Sequence, residues 1–98
     1  ASRWWFAPLT HAESEAAVTA ERAFLAGLGS GCALPVAAYG QVADGRLQLR
    51  GRVLSHDGKR RIDVSGTSEF SLRAANELGH ELARAALARG AQALMEAQ

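Results

Sequence analysis

Ninety-eight residues, 48% of them hydrophobic, suffice for one core and one domain. A net charge of +1 sets up no strong field, and the single cysteine excludes an internal disulfide and any multi-cysteine metal site. No run approaches the roughly 18–20 apolar residues of a membrane span. At the N-terminus Arg3 is followed only by Trp4, Trp5, Phe6 and Ala7 before Pro8, which is not a signal-peptide pattern. The expectation is a soluble, cytoplasmic domain with no membrane partner. Ten of the eleven basic residues are Arg and Ala is abundant, a bias that reads as a GC-rich genome.

Residues 1–9 form a leader or linker with three consecutive aromatics, a surface for weak self-association through Trp4, Trp5 and Phe6. Thr10 and Glu13 then stand at capping-box spacing, which predicts a helix near 12–28. Ala17, Ala20, Phe24 and Leu28 recur at helical period, Val18 and Leu25 widen the stripe, and Gly29 is placed to end the helix in the left-handed conformation. Residues 29–32, Gly-Ser-Gly-Cys, form a loop. Pro35 suits the first residue of a strand, because it cannot donate to a ladder. Strands are expected near 35–42, 46–54 and 60–68, with hairpin turns at Asp44-Gly45 and Asp57-Gly58. In the second strand Leu47, Leu49, Gly51 and Val53 share one face, with Gln48, Arg50 and Arg52 opposite. In the third, Ile62, Val64 and Gly66 share a face. That alternation belongs to an antiparallel sheet with one face buried.

After Ser68 the period returns to 3.6. Leu72, Ala75, Leu78, Leu82, Ala85 and Ala86 mark an amphipathic helix near 71–89, with Arg73, Glu77, Glu81 and Arg84 outside. Gly90 ends it, and a last short turn carries Leu94 and Met95. The fold class is α+β, a three-stranded antiparallel sheet with helices packed on one face.

Cys32 is the sharpest chemical candidate. A lone cysteine is usually a small buried hydrophobe, but this one lies in a glycine-flanked loop that leaves room for a group on sulfur. The loop is not a phosphate loop, because no Gly-Lys-Ser/Thr follows. His11, His56 and His80 read as solvated side chains, and no pair has metal-ligand spacing, so no metal is expected. Arg50, Arg52, Lys59, Arg60 and Arg61 gather on the second hairpin with Asp57, Asp63 and Glu69 interleaved. This predicts a solvated, partly paired sheet face and no nucleic-acid partner, on a hairpin far from Cys32.

Three segments carry a family resemblance: Thr19-Ala-Glu-Arg-Ala-Phe-Leu25, Leu28-Gly-Ser-Gly-Cys32 and Pro35-Val-Ala-Ala-Tyr39. Together they resemble the sequence around the cofactor cysteine of hydroxymethylbilane synthases, also called porphobilinogen deaminases. The similarity continues through Leu47-Gln-Leu-Arg-Gly51, Leu78-Gly79 and Leu87-Ala-Arg-Gly-Ala91. It departs at Ser30, where the family commonly has Gly, and in the leader. The resemblance implies that residues 10–98 are the C-terminal domain of such an enzyme, a transferase of porphyrin and haem biosynthesis. It implies that Cys32 carries a dipyrromethane cofactor as a thioether, with Gly29, Ser30 and Gly31 shaping the cofactor loop. Four porphobilinogen units are added to that primer before the linear tetrapyrrole hydroxymethylbilane is released. A thiolate suits the tether, as a soft nucleophile whose thioether resists hydrolysis.

The partners implied are domains 1 and 2 of the same polypeptide, which hold the catalytic carboxylate and most of the carboxylate-binding Arg residues. No catalytic residue is therefore expected in this chain. Alone it is expected to be inactive and to lack the cofactor. Glu21 and Arg22 read as an exposed or interdomain ion pair. The alternative is a stand-alone α+β interaction module that has lost the chemistry.

Overall fold

Thr10 opens the first helix as its spacing with Glu13 predicts. Glu13 N–H donates to Thr10 Oγ1 at 3.1 Å and Thr10 N–H donates to Glu13 Oε1 at 2.9 Å, so two of the helix's orphan donors are satisfied reciprocally. The computed structural model describes residues 10–29, 34–91 and 93. Helix α1 spans His11–Leu28. Strands β1 (Val36–Ala43), β2 (Arg46–Leu54) and β3 (Arg61–Glu69) follow, in spatial order β1-β2-β3, each antiparallel to its neighbour. Helix α2 spans Leu72–Ala86 and runs on into a wider turn, Leu87–Ala91, which Gly90 kinks at φ 123°. Leu94 and Met95 lie outside the described residues.

Local chemistry sets the turns. Asp44 (φ 53°) and Gly45 (φ 73°) both take positive φ, the two-residue primed turn whose twist matches the flanking strands. Leu47, Leu49, Gly51 and Val53 of β2 are all buried, whereas Arg50 is exposed. Ser71 caps α2 by accepting from Ala74 N–H at 3.1 Å.

Both helices lie on the same face of the sheet and touch each other through small residues. A Cβ on Gly79 would stand 2.5 Å from Ala23 Cβ, and one on Gly27 would stand 2.5 Å from Ala83 Cβ. Ala20, Ala23, Ala83 and Ala86 are all buried. Ala abundance therefore has a packing cause as well as whatever the genome contributes: it lets α1 and α2 approach closely. The Phe24 ring lies over Gly51, in space that any side chain there would occupy, and forms the centre of the core with Leu47, Leu49 and Val53.

Three residues assigned to the apolar stripes are outside them. Val18 and Leu25 are 38% and 46% exposed. Each follows a sheet-facing residue, Ala17 or Phe24, by one position, and the 100° step of a helix turns it onto the flank. Leu72 is 47% exposed because it occupies the first position of α2, ahead of the first buried residue, Ala75.

Candidate functional site

The loop carrying the candidate cysteine has two described feet. Leu28, the last residue of α1, is buried. Gly29 follows at φ 97°, ψ 146°, with its N–H bonded to Ala26 O at 3.1 Å. This corrects the expected left-handed helical cap: ψ is extended, a combination that glycine alone adopts freely. Among the described residues, nothing lies within 4 Å of the position where a Gly29 Cβ would stand. At the other foot Leu34 is buried, and Pro35 O accepts from Leu54 N–H at 2.9 Å, which starts the β1–β2 ladder. Pro35 spends only its carbonyl there, as its missing N–H requires. Ser30, Gly31 and Cys32 lie outside the described residues, as do Trp4, Trp5 and Phe6.

The Pro35–Leu54 bond also fixes what neighbours the loop. It puts the β2–β3 turn, residues 55–60, at the same end of the sheet as the loop's second foot. Lys59 and Arg60 sit in that turn, while the expectation that the basic hairpin is far from Cys32 concerns a residue outside the described ones. The turn is tightly bonded. Asp57 accepts from Ser55 Oγ at 2.5 Å and from Lys59 N–H at 2.9 Å, and Arg60 N–H donates to Ser55 Oγ at 3.1 Å. The Ser55 hydroxyl, then the Lys59 amide, hold the Asp57 carboxyl below the usual carboxylate range.

On the sheet face opposite the helices Asp63 pairs with Arg52 Nε and Arg61 Nε, each at 2.8 Å. The hydrogen bond from Arg52 is the main cause of a lowered Asp63 pKa, and the same bond raises that of Arg52. The partly paired sheet face is therefore observed. Among the histidines, His11 lies exposed with its Nε2 3.8 Å from Glu15 Oε2, and His56 is exposed. His80 is half-buried, its Nδ1 3.4 Å from where a Cβ on Gly27 would stand, so it is not simply a solvated side chain.

Glu21 is also placed differently from its expected surface position. It is half-buried, and its Oε2 accepts from Gly40 N–H at 2.6 Å, joining the middle of α1 to the middle of β1. Arg22 is exposed. No spacing in the sequence announces this contact. Only the antiparallel return of β1 alongside α1 brings the two residues together.

These features define an α+β domain whose helices cover one face of a three-stranded sheet and whose candidate chemistry sits on the loop from first helix to first strand. Residues 16–88 match the family described as porphobilinogen deaminase, C-terminal domain. The chain belongs to that family. It is 40% identical over 89 residues to a porphobilinogen deaminase of Carboxydothermus hydrogenoformans, which covers 91% of this chain and 28% of the relative. Against a porphobilinogen deaminase of Deinococcus radiodurans it is 45% identical over 80 residues, covering 82% of this chain and 25% of the relative. One from Thermobifida fusca is 42% identical over 91 residues, covering 87% and 28%. The chain thus spans little more than a quarter of the length of these relatives. None of the described helices is long and apolar enough to cross a membrane.

Proposed function

We propose that this chain is the carrier domain of a cytoplasmic hydroxymethylbilane synthase. Residues 10–98 are the C-terminal domain, residues 1–9 join it to two upstream domains, and Cys32 holds a dipyrromethane cofactor through a thioether. The observation that carries the reading is the family match across residues 16–88, which spans both sides of Cys32. The described feet of the loop are compatible with a bulky tethered group: no described residue lies within 4 Å of a Gly29 Cβ position, and the chain is anchored again by buried Leu34. When bound, the cofactor supplies the fixed primer onto which porphobilinogen units are condensed.

The chain's own part is attachment. The Cys32 sulfur, as thiolate, forms a C–S bond to the methylene carbon of a porphobilinogen-derived pyrrole. The C–N bond there breaks and ammonia leaves. A covalent tether keeps one primer in place through successive additions, and each addition releases one further ammonia. Expelling ammonia and holding acidic side groups require a general acid and cationic clamps. The acidic residues nearest Cys32 in sequence are Glu21 and Asp44, and Glu21 is engaged by Gly40 N–H. Those groups are assigned to the upstream domains.

Two measurements on the purified 98-residue chain test this reading. A porphyrin absorbance assay with porphobilinogen is expected to show no bilane. Titration with a thiol reagent under native conditions is expected to modify Cys32 at once. Bilane formation would place the catalytic groups in this chain after all. Reaction only after unfolding would make Cys32 a structural residue and remove the carrier role.

A further inference from the structure

The two helices run in the same direction. A Cβ on Gly79 would meet Ala20 O and Ala23 Cβ, and one on Gly27 would meet Ala83 Cβ, so later residues of α1 lie beside later residues of α2. α2 begins where β3 ends, at the end of the sheet where the register sets Ala43, Arg46 and Glu69 side by side. α1 therefore begins at that end too, away from the feet of the cysteine loop. Only Phe70 and Ser71 lead into α2, whereas α1 is entered at Thr10 from residues 1–9.

This end carries an exposed apolar pair, Phe70 and Leu72. Phe70 precedes the Ser71 cap and Ala75 is the fourth helical residue, the spacing of a hydrophobic staple, but an alanine covers little of a phenyl ring. Leu72 stands seven residues before Gly79, on the side of α2 that meets α1, so it looks into the crease between the two helix starts. On α1 the same positions do not match. Leu9 precedes the Thr10 cap, but the fourth helical residue is Ser14. Its own helix offers the entering chain no staple.

We propose that Phe70 and Leu72 are the docking surface for the aromatic run Trp4, Trp5 and Phe6 of the same chain, which folds back from Thr10 across the crease. Tether length and direction select this occupant. Seven residues before Gly79, Leu72 lies level with Ala16, which is about 9 Å along α1 from Thr10. With about 8–10 Å between packed helix axes, the gap to span is roughly 13 Å. An extended chain reaches about 13–14 Å from Thr10 to Phe6 and about 20–22 Å to Trp4. A segment held this close is present at a far higher effective concentration than a second copy or a free partner. The other exposed large hydrophobics are off this path. Val18 and Leu25 turn from α1 away from α2, and Tyr39 lies on the sheet face opposite the helices. The inference does not depend on the carrier reading, because it concerns the end of the domain remote from the cysteine loop.

Tryptophan fluorescence reads the docking directly, since Trp4 and Trp5 are the two tryptophans of the chain. It is measured on the 98-residue chain at a concentration where sedimentation equilibrium finds a monomer. The parent is expected to emit to the blue of the urea-unfolded chain and to be shielded from acrylamide. Phe70→Ser with Leu72→Ser is expected to move emission to the unfolded position and to remove the shielding, while circular dichroism stays that of the parent. Leu25→Ser, at an equally exposed site off the path, is expected to change neither. Emission at the unfolded position in the parent overturns the proposal. So does blue emission that survives the double substitution, that Leu25→Ser shifts as much, or that arises only as copies associate. If the double variant does not fold, nuclear Overhauser contacts in the parent decide. Contacts from the indole protons to the Leu72 methyl groups are expected, and their absence overturns the proposal.

Discussion

Gly29 shows how much one residue can fix. Its φ of 97° with ψ of 146° is a conformation in which a Cβ is strained, although no described residue lies within 4 Å of the position. Gly29→Ala therefore meets a backbone cost with no clash to relieve. The expected destabilisation is about 1–3 kcal/mol, and each kcal/mol lowers the melting temperature of a domain this size by roughly 4–8 °C. Thermal unfolding of the variant checks this, and an unchanged melting temperature would show that the chain leaves α1 by another route. Asp63 gives a second prediction at this scale. Its carboxyl titrates below the ordinary 3.8 because Arg52 bonds to it. A depressed folded-state pKa lends stability that is complete above the unfolded value and is lost as pH falls through the folded one. The unfolding midpoint in urea is thus expected to fall less steeply below about pH 4 in Asp63→Asn than in the parent. The difference is small and fades with salt, since the pair is exposed. Asp57 is shifted the same way, so part of the acid dependence remains in the variant. Identical acid profiles for parent and variant would contradict the assignment.

Among the elements, the strongest constraint is the contact of α1 with both the sheet and α2. Phe24 is fully buried and its ring occupies the space above Gly51. Phe24→Ala empties the centre of the core at an expected cost of about 3–5 kcal/mol. That is a large share of the 5–15 kcal/mol typical of domains. Gly79→Ala sets a methyl group against the α1 backbone near Ala20 and Phe24, and overpacking of this kind costs about 1–3 kcal/mol. Urea denaturation reads both, and a neutral Gly79→Ala would mean that the helices separate without penalty. Much of this scaffold is legible in the sequence because it is written locally. The capping box at Thr10, the primed turn at Asp44-Gly45, the alternation of β2 and the return to helical period after Ser68 each depend on a few neighbouring residues. Val18, Leu25 and Leu72 stand outside the buried faces because periodicity marks apolar positions without saying how wide a face the partner covers. The Glu21–Gly40 bond and the Gly27 and Gly79 contacts depend on how separate elements dock, which no spacing encodes. The candidate loop divides the same way. Its cysteine and glycines stand out in the sequence, but its shared end with the residue 55–60 turn emerges only from the sheet register.

For the molecule as a whole, the decisive fact is scale. The chain matches a C-terminal domain family and spans 25–28% of its relatives in Deinococcus radiodurans and Carboxydothermus hydrogenoformans. Its fold supplies a platform of two helices on a sheet, and Cys32 lies in the segment between α1 and β1. A platform of that kind suits the holding of a primer for groups on other domains to act upon. On this account fold and attachment are separable: Cys32→Ala should leave the stability of the domain nearly unchanged while removing the tether. The most direct test is intact-mass spectrometry of the full-length gene product, parent and Cys32→Ala, purified in parallel. The account predicts a covalent dipyrromethane on the parent, located by peptide mapping to Cys32, and none on the substituted protein. An unmodified parent, or an adduct that survives Cys32→Ala, would contradict it.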